Sequence, residues 1–132
     1  MNIDEAWNEV RKMAGFGAII RNDIGGFVNA FCGNSEDAFS PLQAELVAFR
    51  ESVYWAVNRG IQNLSFETDS LHIVEALRNL TLNLSIVGQM VEYIKTLLHP
   101  ITEATITHTR RNTNSFAHRL AWIGVSLTQH CE

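Results

Sequence analysis

The chain has little cysteine, no segment of excess positive charge and no long apolar run, and each shortage excludes something. Cys32 and Cys131 are its only cysteines and lie far apart, without a CxxC or Cys/His spacing, so neither a disulfide framework nor a thiolate zinc site is indicated. Reduced thiols in an intracellular protein are expected. The first thirteen residues lack a basic stretch followed by an apolar run, and no apolar segment elsewhere could cross a bilayer. A soluble protein without a membrane partner is therefore expected. The formal charge is −4, which argues against a domain that grips nucleic acid through a broad basic surface. Any phosphate contact must be local.

What is present builds one domain. An apolar share of 46% in 132 residues supports a core without staples, and no Pro/Gly-rich linker, low-complexity run or internal repeat divides the chain. A single domain over residues 1–132, acting as a monomer, is the expectation. Gly15 to Arg21 and Phe27 to Cys32 read as strands joined through Gly25-Gly26. Ser40-Pro41 offers a helix cap and a first-turn proline. From there Leu42, Leu46, Phe49, Val53 and Ala56 form one apolar face of a helix that ends at Gly60. Leu64, Phe66 and Thr68 alternate with Ser65, Glu67 and Asp69 as a half-buried strand does. Helices over Ser70 to Leu80, Ser85 to Leu98 and Asn114 to Leu127, and a strand over Ala104 to His108, complete the order β-β-β-α-β-α-α-β-α. Met1 to Asp4 reads as the remnant of a first strand. Such an order implies an α/β fold, a mixed sheet with helices on its faces, and sites at strand ends.

Three acids occupy such places. On a helical wheel of about 100° per residue Glu45 flanks the apolar stripe, where a carboxylate must be paired, hydrogen-bonded or bound to a cation. Asp69 ends a strand on the side opposite Leu64 and Phe66, and Ser70 is available to cap the next helix in its stead. Asp4 ends the first strand. Each alone reads equally as an ordinary boundary residue, but together they suit a hard cation such as Mg²⁺.

Several spaced motifs then carry a resemblance. Asn2-Ile3-Asp4, Gly15-Phe16-Gly17-Ala18-Ile19-Ile20-Arg21, Ser40-Pro41-Leu42-Gln43-Ala44-Glu45-Leu46, Glu67-Thr68-Asp69-Ser70-Leu71 and Arg111-Asn112-Thr113-Asn114-Ser115-Phe116-Ala117-His118 follow in order over nearly the whole chain. In this the chain resembles the plant ribonuclease H-like family related to retroelement reverse transcriptases. The resemblance implies a five-stranded mixed sheet and hydrolysis of the RNA strand of an RNA–DNA hybrid with two Mg²⁺ or Mn²⁺ ions. Asp4, Glu45 and Asp69 would then be catalytic metal ligands. The logic is the two-ion clamp on a scissile phosphate.

The pattern breaks in the last helix, where His118 fills a position at which catalytic relatives often carry an acid. His118 is counted with the catalytic residues; an imidazole suits Mn²⁺ or Zn²⁺ better than Mg²⁺, or has no metal role there. His108 resembles an assisting histidine of some bacterial members, and Arg111 and Asn114, beside Arg110, form a basic, hydrogen-bonding patch suited to phosphate or 2′-hydroxyls. Glu5 stands after Asp4 where relatives frequently carry a small residue. Two functional expectations compete: a metal-dependent hybrid endonuclease, weakened by His118, and a nucleic-acid-binding or protein-interaction module of retroelement descent that no longer cuts.

Overall fold

The computed structural model describes residues 1–36, 38–78, 86–110 and 115–126. Five strands, β1 (Asn2–Asn8), β2 (Met13–Arg21), β3 (Phe27–Ser35), β4 (Asn63–Thr68) and β5 (Glu103–His108), form one sheet in the order β3-β2-β1-β4-β5. The helices are α1 (Pro41–Asn58), α2 (Leu71–Arg78), α3 (Ile86–Leu98) and α4 (Ser115–Ser126). β1, β2 and β3 run antiparallel as a meander, while β1, β4 and β5 run parallel. This is the expected mixed α/β sheet. Cys32 is buried within β3; Cys131, Leu80, Ser85 and Leu127 lie outside the described residues.

The first strand corrects the expectation of a remnant ending at Asp4. Seven residues form it, and all seven pair with β2, from Asn2↔Ile19 to Asn8↔Met13. The charged Asp4-Glu5 step interrupts the apolar pattern, but the backbone ladder is indifferent to it. Trp7, further along, is fixed by its indole N–H, which donates to the Ala38 carbonyl at 2.8 Å. At the other end the Met1 ammonium donates to the Ser65 carbonyl at 2.6 Å and Glu67 N–H donates to the Met1 carbonyl at 2.7 Å, which ties β1 to β4.

The helix that starts at Pro41 is capped as its sequence suggests. The Ser40 hydroxyl accepts from Gln43 N–H at 3.1 Å, and Gly60, at φ 68°, takes the left-handed conformation that ends the chain's helical path. Its apolar stripe, Leu46, Phe49 and Val53, packs with Ile3, Phe16, Leu64 and Phe66 into the main core.

The opposite face is covered by α4, which approaches differently. Ala6 packs there with Ala121 and Val125. A Cβ on Gly17 would stand 2.6 Å from the Ala117 carbonyl oxygen, and Cβ atoms on Gly15 or Gly124 would collide with the Ala121 or Gly33 carbonyl. The helix therefore lies almost backbone against backbone on β2 and β3. Gly17 is the residue that pairs with Asp4.

Candidate active site

Register brings the two aspartates together. β1 and β4 pair in parallel through Asn2↔Glu67 and Ile3↔Thr68, so the next step along both strands places Asp4 beside Asp69, where pairing stops. Strand alternation sets Asp4, like Ala6, on the face that α4 covers, and Asp69 follows directly on the last residue of β4. Asp4 is only 4% exposed, and Asp69 is half-buried.

Asp4 and Glu45 are each oriented by a donor. The Asp4 Oδ1 accepts from Glu5 N–H at 2.9 Å, and its Oδ2 lies 2.7 Å from His118 Nδ1. Trp122 Nε1–H donates to His118 Nε2 at 3.1 Å, so Nε2 must be the unprotonated nitrogen and Nδ1–H the donor to Asp4. The imidazole is thereby held as one neutral tautomer with both nitrogens engaged. Ser70 Oγ donates to Glu45 Oε2 at 2.8 Å and also accepts from Ile73 N–H at 3.4 Å, which makes Ser70 the cap of α2 and leaves that role to neither acid.

Glu5 is the residue that sequence reasoning missed as part of the site. Atoms of Asp4, Glu5 and Asp69 lie within 4.8 Å of one another and could share a cation. The signal was a large acid in a position where small residues are frequent. Burial first, then the neighbouring Asp4 charge and hydrogen bond, and then Glu45 and Asp69, push the Glu5 carboxyl up to about 9. Glu45 is also raised, mainly by burial, with Asp69 and Asp4 adding while the Ser70 hydrogen bond and His72 oppose. Glu45 itself stands outside the close trio, coming from the α1 side.

The remaining expected residues fall near the same edge or beyond view. His108 is exposed at the end of β5, paired with Thr68 one residue short of Asp69, and is not one of the clustered acids' partners named above. Arg110 is exposed two residues further on. Arg111 and Asn114 lie outside the described residues. Trp122, unflagged by sequence, was marked only by its spacing of four from His118 on one helix face.

Residues 2–123 match a family described as reverse transcriptase-like. No curated protein matches. Among solved structures, ribonuclease H1 from the halophilic archaeon Halobacterium salinarum superposes with a TM-score of 0.82 at 23% identity, covering 92% of this chain and 92% of its own. LC11 ribonuclease H1, isolated from compost by a metagenomic approach, gives 0.81 at 16% identity over 95% of this chain and 96% of its own. The LC11 protein in complex with an RNA/DNA hybrid gives 0.68 at 13% identity, covering 93% of each chain. These likenesses establish a ribonuclease H fold.

Proposed function

The chain belongs to the reverse transcriptase-like family, and on that premise we propose that it is a divalent-metal-dependent endonuclease cutting the RNA strand of RNA–DNA hybrids. The observation that carries this reading is the meeting of Asp4 and Asp69 where the β1–β4 ladder ends, with Asp4 buried. Like charges so placed are costly without a cation. Their donors are all carboxylate oxygens, the set that Mg²⁺ and Mn²⁺ accept, so the residues fit such ions. Asp4, Asp69 and Glu45 would hold them. Bound there, such ions supply a nucleophile at neutral pH and neutralise charge on the scissile phosphate.

The protein's own part is preorganisation. Asp4 is held by Glu5 N–H and His118, and Glu45 by Ser70, so two ligands are aimed before any ion arrives. His118 acts here as a positioning residue: with Nδ1 on Asp4 and Nε2 taken by Trp122, it keeps the donor set all oxygen and favours Mg²⁺ and Mn²⁺ alike. Arg110 and His108, exposed at the same sheet edge, support local contact with the backbone of a hybrid, in keeping with a net charge of −4. A hybrid-bound ribonuclease H1 of the same fold supports that substrate class.

The test is cleavage of a labelled hybrid with Mg²⁺ or Mn²⁺ by the wild type and Asp69→Asn. We expect the variant to lose at least roughly a hundredfold in rate while binding the hybrid as well or slightly better. Folded wild-type protein that cleaves no faster than Asp69→Asn in either metal would overturn the assignment.

A further inference from the structure

β1 carries two adjacent acids, and the reading above uses only Asp4 as a ligand. Strand alternation sends Asp4 and Ala6 to the α4 side, where Ala6 packs, and Ile3, Glu5 and Trp7 to the α1 side, where Ile3 and Trp7 pack. Glu5 therefore starts on the same side as α1. Beyond Ile3 no β4 residue pairs with β1, so no backbone ladder separates the Glu5 position from the end of β4. One oxygen each from Asp4, Glu5 and Asp69 then lie within 4.8 Å of one another.

That separation is chemically informative. Two oxygens on opposite sides of one Mg²⁺ or larger divalent ion, at about 2.1–2.5 Å from it, stand roughly 4–5 Å apart. A single ion can therefore touch all three with side-chain adjustment alone. Among the described residues the other candidates are less well placed. Glu45 is outside the trio, while α4 offers an imidazole engaged at both nitrogens.

We propose that Glu5 is a direct ligand of a divalent cation shared with Asp4 and Asp69, so that consecutive residues of one strand grip the same ion from its two sides. This rests on the metal site of the nuclease reading. Glu45 then serves a second ion or the outer sphere of the first, and the ion lies nearer the α1 side of the strand than Asp4 and Asp69 alone would put it.

The experiment is Mn²⁺ binding by the whole protein without nucleic acid, followed by the electron paramagnetic resonance signal of free Mn²⁺ and by calorimetry. Wild type, Glu5→Gln, Glu5→Ala and Asp69→Asn are compared, each first checked for folding by circular dichroism. The neutral Gln is near-isosteric, and Ala removes the side chain altogether, so at least one folded variant is expected. Either Glu5 variant should weaken the tightest Mn²⁺ site about tenfold or more. Wild-type affinity in a folded Glu5 variant, with a loss in Asp69→Asn, would remove Glu5 from the ligand set and leave the metal site standing. A wild-type protein that leaves the free Mn²⁺ signal unchanged at millimolar concentration would overturn both this inference and the metal-dependent reading.

Discussion

On one face of the sheet α1 fills volume, and on the other α4 gains its position from side chains that are missing. Leu46, Phe49 and Val53 of α1 are at most 1% exposed, and Phe49 meets Phe66 of β4 with ring centroids 5.5 Å apart. Gly15, Gly17 and Gly124 instead let α4 and the strands touch through their backbones, Gly124 against the Gly33 carbonyl. The first arrangement draws its stability from apolar area removed from water and yields to volume-conserving change. The second is limited by steric contact and yields to no added carbon. The site lies where the two meet, and the glycine-lined face fixes its fine geometry, because Gly17 pairs with Asp4 and seats the helix turn that carries His118.

The largest expected effect lies on the filled face. Phe49→Ala should cost about 3–5 kcal/mol in urea unfolding, from lost burial plus the cavity it leaves. A loss below about 1 kcal/mol would mean that α1 is not the main source of stability. Gly17→Ala should cost less, roughly 1–3 kcal/mol, but should move α4 and part His118 from Asp4. Ring resonances of His118 in an NMR spectrum should shift in Gly17→Ala and stay in place in Phe49→Leu. The reverse pattern would break the division between the faces.

The two faces were not equally legible in sequence. The stripe of Leu42, Leu46, Phe49 and Val53, the Ser40-Pro41 start and the alternation of Leu64 and Phe66 are local periodicities, and each appears where its spacing puts it. The extent of β1 was not legible, since it rests on a ladder with β2 that continues through charged residues. The meeting of Asp4 and Asp69 depends on a parallel register between strands more than sixty residues apart, which no local pattern encodes. Glu5 was hidden for a different reason. Neighbouring strand residues point to opposite faces, so an acid beside Asp4 reads as turned away, and only the three-dimensional structure brings its carboxylate near Asp4 and Asp69. Gly17 likewise says nothing by itself until α4 is seen to lie on it.

A pH series sharpens the comparison at the seam. The folded protein keeps the Glu5 proton up to about pH 9, whereas the unfolded chain releases it near the ordinary value of 4.5. Between these values the unfolded state binds fewer protons, so metal-free stability should fall as pH rises from about 4.5 to 9 and level off above. Glu45, raised in the same direction by burial, adds to that slope. Urea midpoints measured from pH 5 to 9 should flatten clearly in Glu5→Gln; equal slopes in variant and wild type would show that Glu5 ionises freely in the fold.

The smallest effect on stability is expected at Trp122. Its indole N–H donates to His118 Nε2 from an exposed position on α4, so Trp122→Phe should cost no more than about 1 kcal/mol. What it should change is the imidazole. With the donor present, Nε2 is an acceptor and Nδ1–H faces Asp4 Oδ2 at 2.7 Å; with it gone, Nε2 turns to water and the ring is fixed from one side only. Nitrogen-15 shifts of His118 should show a single Nδ1–H tautomer in the wild type and a mixture in Trp122→Phe. Hybrid cleavage should fall modestly, about twofold to tenfold, because Asp4 loses part of its orientation while the carboxylates stay in place. An unchanged tautomer would show that Asp4 alone sets the proton, and that α4 contributes to the site through its position on the glycines rather than through Trp122.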